Sequence, residues 1–295
     1  MGPQRGGRER RDGGAGSARR RRGLPGRPSV PDGPVHPRRA RPHDPGGPRR
    51  SRLPGATLIH VLIFFDIDAT LLLTDGMGIR AMLDAGRDLF GPAFRPADVP
   101  YAGRLDPLII HDMLASSGID PSPARREAMR RAYALRLRAA FEGPHTARLL
   151  PGAAEVVAAL GAWPDVTLAI LTGNFEETGS LKLARCGLPP QRFHLHVWGD
   201  QSPSDPPTRD DLPRVGIDRH AASTGRRPRD DAVWIVGDTP HDVRAARANR
   251  IRCLGVATGR YSARELGECG ADAVLPDLAD TARVLAILRS SRAPA

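Results

Sequence analysis

Asp66 and Asp68 stand one residue apart at the end of an apolar run, Leu58 to Phe65, that is rich in β-branched and aromatic residues. If extended backbone persists to the end of that run, carboxylates at this spacing project to the same side. One can then attack an electrophile while its neighbour handles a proton. A plainer role is also open, in which Asp68 and Thr70 only form a hydrogen-bonded turn after a strand. Two further acids, Asp238 and Asp242, lie just past a second run, Ala232 to Val236. A third run, Val166 to Leu171, ends in Thr172, Gly173 and Asn174, after which Glu176 and Glu177 open a helical pattern reaching Arg185. Free N–H groups and the positive dipole end at a helix start favour an anion, so a phosphate suits Thr172, Gly173 and Asn174. An ordinary strand-to-helix turn has the same appearance.

Gathering Asp66, Asp68, Asp238 and Asp242 in one crevice is costly, since two like charges ~4 Å apart repel by roughly 4 kcal/mol at an effective dielectric of about 20. Protons or a cation must relieve this. An all-oxygen site that also holds a phosphate matches Mg2+, whereas Cys186, Cys253 and Cys269 lack the paired spacing of a zinc site. Of the 44 basic residues 43 are Arg, and Lys182 is the only lysine. An arginine excess of this kind accompanies GC-rich coding, a bias that tends to replace any lysine not needed as an ammonium. Lys182 follows Asn174 by eight residues in the helical stretch. From there its ammonium can reach a phosphate or an aspartate as a compact point charge.

Taken in order, Asp66-Ile67-Asp68-Ala69-Thr70, Leu171-Thr172-Gly173-Asn174, Lys182 and Gly237-Asp238-Thr239-Pro240-His241-Asp242 make the chain resemble the haloacid dehalogenase superfamily. Within it the likeness is to phosphoglycolate phosphatase-like hydrolases, over roughly residues 58–290. The resemblance implies a magnesium-dependent phosphatase that hydrolyses a small phosphate monoester through an aspartyl-phosphate. It implies Asp66 as nucleophile and Asp68 as general acid and then base. Thr172, Gly173, Asn174 and Lys182 would bind the phosphate. Asp66, Asp238 and the backbone carbonyl of Asp68 would hold the metal, with Asp242 supporting them from behind.

Two features depart from the family pattern. Ala69 stands where glycine is more usual, which is tolerated unless the backbone needs a positive φ. The Lys-Pro pair of many relatives is missing, and the segment Gly199–Asp211 offers only Arg209 as a cation, which makes Lys182 the expected phosphate-bridging group. Dehalogenases of this superfamily typically lack the second aspartate, and its phosphonate hydrolases need a cap lysine that residues 75–150 do not contain. A sugar-phosphate mutase is the alternative, since mutases share these acids and differ in how they exclude water.

The elements that must position these groups alternate as an α/β fold should. After Asp242 the pattern predicts helix over Val243–Arg250, strand over Cys253–Thr258, helix over Ala263–Cys269, strand over Ala273–Leu275 and helix over Asp280–Leu288. Between the first and third apolar runs lies an insertion with helical patterning over Ile79–Phe90, Pro107–Ser116 and Arg125–Phe141, broken by Gly and Pro pairs. The expected fold is a Rossmann-like doubly wound parallel sheet, formed by residues 56–74 and 151–295, with a helical cap over 75–150. In relatives such a cap supplies substrate contacts. Arg104, within Tyr101-Ala102-Gly103-Arg104-Leu105-Asp106, is the candidate specificity residue, able to grip a substrate carboxylate or instead to pair with Asp106 or another acid.

Residues 1–55 hold 15 Arg against 4 acids, which accounts for the whole net charge of +11, since 29 basic and 29 acidic residues remain beyond them. With 12 Gly, 10 Pro and almost no large apolar side chains, this stretch is expected to be a disordered tail. It has no aromatic residues to stack on bases, so nucleic acid is not the expected partner, although a binding protein with a basic RNA- or DNA-engaging tail is the non-enzymatic alternative. No stretch reads as an export signal or a membrane span, and the scattered cysteines suit a reducing cytoplasm. The expected partner is a small phosphorylated metabolite.

Overall fold

The three apolar runs become the three central strands of a parallel sheet. The computed structural model describes residues 60–290, so the expectation of disorder for 1–55 lies outside the described residues. The sheet opens with β1 (Val61–Phe65), followed by the short β2 (Leu72–Leu73) and the inserted helices α1 (Met77–Phe90), α2 (Asp106–Ser116) and α3 (Pro123–Glu142). A two-residue β3 (Arg148–Leu149) leads into α4 (Ala153–Gly161), β4 (Val166–Leu171), α5 (Glu176–Arg185), β5 (Leu195–Val197) and α6 (Leu212–Thr224). The chain ends with β6 (Val233–Gly237), α7 (Pro240–Ala248), β7 (Arg252–Val256), α8 (Ala263–Glu268), β8 (Ala273–Leu275) and α9 (Thr281–Arg289).

The strand order is β5-β4-β1-β6-β7-β8, with every pairing in this sheet parallel. Phe65 pairs with both Ile170 of β4 and Val236 of β6, so the three strands end level and deliver Asp66, Thr172 and Asp238 to one edge. That edge is where the chain turns to opposite sides of β1, the place at which open α/β sheets form a crevice. Strand alternation sends Ile63 and Phe65 into one core, with Trp234, Val156, Leu183 and Val284. Leu62 and Phe64 enter the other, with Ile235, Ile217, Val243 and Leu266. Each fully buried Phe contributes about 2–3 kcal/mol of apolar burial, which is why a strand covered on both faces reads as an unbroken apolar run.

The inserted helices hold a third cluster, including Met82, Ile109, Met113, Leu137 and Phe141, and Phe175 at the start of α5 joins it. Where the chain enters and leaves the insertion, β2 and β3 pair antiparallel, Leu72 opposite Leu149 and Leu73 opposite Arg148. The two crossings therefore lie side by side.

Ala69, in the loop between β1 and β2, has φ 59, the condition under which its Cβ is penalised. Its N–H donates to Leu72 O at 2.7 Å, and its carbonyl accepts from the Thr258 hydroxyl, which fix the turn from both sides. We expect Ala69→Gly to raise stability by roughly 0.5–1 kcal/mol, relief of left-handed strain less the extra entropy of an unfolded glycine. Urea denaturation checks this; an unchanged or lower midpoint would show that the turn carries no such strain.

Candidate active site

Asp66 leaves β1 with its N–H bonded to Val236 O at 3.0 Å, so the sheet itself fixes where its carboxyl emerges. That carboxyl is buried, and burial pushes it up to about 6 against the lowering effect of the Arg209 guanidinium, with Asp242 adding to the rise. Asp238, just past β6, is also buried, which together with the charges of Asp66 and Asp242 holds it well above the usual carboxylate range. Oxygens of Asp66, Asp238 and Asp242 lie within 4.8 Å of one another.

These three acids are not equally free. Asp242 sits in the first turn of α7, where Oδ2 accepts from the Thr239 N–H at 3.1 Å and its hydroxyl at 2.7 Å, a reciprocal cap of the helix start. Its Oδ1 accepts from Arg209 Nη2 at 2.6 Å. Asp238 has one side-chain donor among the described residues, the Thr70 hydroxyl at 3.3 Å. A Cβ on Gly259 would come within 1.8 Å of Asp238 Oδ2, so glycine there leaves that oxygen uncrowded. Buried oxygens that exceed their donors and crowd like charges fit a hard divalent cation. The residues with oxygen to spare are Asp66 and Asp238.

Asp68 faces a different group. Its Oδ2 accepts from Lys182 Nζ at 2.6 Å and Asn174 Nδ2 at 2.8 Å, while the side chain keeps 40% of its exposure. Lys182 also donates to Asn174 Oδ1 at 2.6 Å. Burial pulls this lysine's pKa down, yet Asp68, Tyr133 and Asp106 hold its ammonium above the ordinary lysine value. Thr172 is buried, and its hydroxyl oxygen accepts from Asn174 Nδ2 at 2.8 Å. Gly173 is needed for close approach, because a Cβ there would lie 2.1 Å from Arg104 O.

All of the expected residues except Asp242 line one cavity of about 390 Å³, and Arg104 is among them. Arg104 nevertheless spends its guanidinium on Asp112 Oδ2 at 2.7 Å and Pro100 O at 2.9 Å. It thus takes the ion-pair role, with Asp112 rather than Asp106 as partner.

The group that sequence reasoning underrated is Arg209. It is 3% exposed and lies in the turn before α6, with Nη2 at 2.9 Å from Asp66 Oδ1 as well as bonded to Asp242. Its Nη1 donates to Gly103 O at 3.3 Å, and its buried Nε has no partner among the described residues. Burial opposes its charge, but Asp242 and Asp66 hold it protonated beyond the ordinary arginine value. The signal was present: Arg209 is the one cation of the Gly199–Asp211 segment. The cavity therefore offers two buried cations, one beside each aspartate of the Asp66–Asp68 pair.

Residues 213–281 match the family model described as HAD-hydrolase-like, the haloacid dehalogenase type. No curated protein matches the chain. Among solved structures, CbbY from Rhodobacter sphaeroides, a variant crystallised with xylulose-1,5-bisphosphate, is similar at 22% identity and a TM-score of 0.61, over 75% of this chain and 96% of that one. A predicted phosphoglycolate phosphatase from Haemophilus somnus aligns at 17% identity and TM-score 0.58, over 78% of this chain and all of its own. A candidate β-phosphoglucomutase from Thermotoga maritima aligns at 19% identity and TM-score 0.52, over 77% and 99%. At these identities the likeness establishes the fold, which is that of haloacid dehalogenase-type phosphatases and mutases.

Proposed function

We infer that this chain is a magnesium-dependent phosphatase acting on a small phosphate monoester, of a size between 2-phosphoglycolate and a sugar phosphate, through an aspartyl-phosphate on Asp66. The observation that carries the reading is the convergence of Asp66 and Asp68 on one cavity, each backed by its own buried cation, with Asp238 alongside. The hydrolase-like family match, the predicted phosphoglycolate phosphatase among the structural neighbours and the bisphosphate bound to CbbY support it.

Asp66, Asp238 and the backbone carbonyl of Asp68 would hold Mg2+, which when bound supplies positive charge to the transferring phosphoryl group. Asp66 attacks phosphorus, an O–P bond forms and the ester O–P bond breaks. Asp68 gives its proton to the departing alkoxide. It then takes one from the water that attacks the acyl phosphate, which frees Asp66 and releases inorganic phosphate. Lys182 keeps Asp68 in position and, with Thr172 and the Gly173–Asn174 turn, offers donors to the phosphoryl oxygens. Arg209 orients Asp66 and offsets its charge. Residues 75–150 act in this reading as a cap that excludes water, and the three free thiols suit a cytoplasmic setting. Among the described residues no helix is long and apolar enough to cross a membrane.

Phosphate release from acetyl phosphate and a panel of sugar and polyol phosphates tests the reading, with MgCl2 and after EDTA treatment. We expect turnover with Mg2+ and a loss of about 1000-fold or more on chelation, restored by Mg2+. Unchanged turnover in EDTA refutes metal dependence. Isomerised ester without free phosphate would favour the mutase.

A further inference from the structure

The cap side of the cavity has its own chemistry. Asp106 opens α2, with its N–H donating to Gly173 O at 2.8 Å and its Oδ2 accepting from the Phe175 N–H at 3.3 Å. It is 7% exposed, and its other carboxyl oxygen has no protein donor among the described residues, although the residue lines the cavity. Tyr133 of α3 is buried in the same wall, its hydroxyl and Lys182 Nζ each 3.4 Å from where a Cβ on Gly78 would sit. Ile79, Met82 and Ile109 complete this side.

Three of the four cations that line the cavity are committed elsewhere. Lys182 is bonded to Asp68 and Asn174, Arg209 to Asp66 and Asp242, and Arg104 to Asp112. Arg260, the fourth, is exposed, with its guanidinium 5.8 Å from the Tyr101 ring and no ion pair among the described residues. A carboxylate or second phosphate brought against Asp106 would meet a like charge away from bulk water, and the buried cations nearest it are already paired. A hydroxyl there finds a carboxyl oxygen and a phenol, and its carbon chain finds apolar contact.

We propose that Asp106 and Tyr133 form a leaving-group pocket that selects phosphate esters of uncharged polyols over esters carrying a second carboxylate or phosphate. This rests on the hydrolase reading of the same site and narrows it away from phosphoglycolate itself. Burial pushes the Asp106 carboxyl up to about 7, with Asp68 and Glu177 adding to the rise while Lys182 and the Phe175 N–H oppose it. Near neutrality it is therefore able to accept or donate a hydrogen bond to a hydroxyl.

The test uses the full chain with MgCl2 at pH 8 and two matched pairs, glycerol 3-phosphate with 3-phosphoglycerate and sorbitol 6-phosphate with 6-phosphogluconate. We expect kcat/KM to favour the uncharged member by about tenfold or more in the pair that is turned over better. Asp106→Asn removes the charge but keeps an acceptor for Phe175, so the ratio should fall to within about threefold, mainly through a lower KM for the carboxylate ester. Wild type favouring the carboxylate ester, or an unchanged ratio in Asp106→Asn, overturns the proposal. Calorimetric binding of the same esters to Asp66→Asn separates it from the hydrolase reading. If wild type hydrolyses nothing, acetyl phosphate included, while this variant still ranks the uncharged ester first, the hydrolase reading falls and the pocket stands. If the variant binds neither member of either pair, the pocket falls.

Discussion

Asp66→Asn is expected to lower phosphate release by at least about 10,000-fold while the protein stays folded, because an amide oxygen does not form the acyl phosphate that splits hydrolysis into two easier steps. The substitution isolates the nucleophile unusually well here. Asn keeps the size of the side chain and an oxygen that accepts from Arg209 Nη2, which lies 2.9 Å from Asp66 Oδ1. Arg209 also retains Asp242 as a charged partner at 2.6 Å. What disappears is the buried negative charge of Asp66, whose carboxyl burial already pushes up to about 6, from beside Asp238 and Asp242. Stability should therefore be equal to or above wild type, read as the urea midpoint at pH 8 without metal. A variant that unfolds would assign Asp66 a structural role, and one that still turns over would remove it from the chemistry.

The parts of this site that were legible in the sequence are those set by local pattern. The runs behind β1, β4 and β6 are unbroken because both faces are covered, and α5 spans Glu176–Arg185, the limits its helical pattern gave. Elements whose side chains are divided between surface and core left weaker traces. The edge strand β5 is only Leu195–Val197 with a histidine in the middle, and α6 carries Pro213 and Gly216, so neither stands out by periodicity. Side-chain partnerships were harder still. Arg104 meets Asp112, two turns along α2, rather than the nearer Asp106, because Asp106 is held under the start of α5 by the Phe175 N–H. The weight of Arg209 was hidden for the same reason: its segment is rich in Pro and Asp and reads as a solvated loop. Only the folded chain brings that loop against both Asp66 and Asp242.

Arg209→Ala is accordingly expected to cost about 3–5 kcal/mol of stability, the usual result of leaving buried charge without its partner. Three carboxyls would then share the strand ends with no protein cation between Asp66 and Asp242, and the Gly103 carbonyl would lose its contact with Nη1. Arg209→Lys should lose less, since it keeps the charge, but one ammonium does not reproduce the planar spread of donors that reaches Asp66, Asp242 and Gly103 together. Magnesium provides the decisive contrast. A cation bound among the same oxygens replaces part of the missing charge, so Mg2+ should raise the urea midpoint of Arg209→Ala by more than it raises that of wild type. Equal increments in the two proteins would mean that Arg209 and the metal answer to different acids. A variant as stable as wild type without metal would mean that the acids are protonated rather than paired, and the electrostatic design proposed for this strand edge would fail with it.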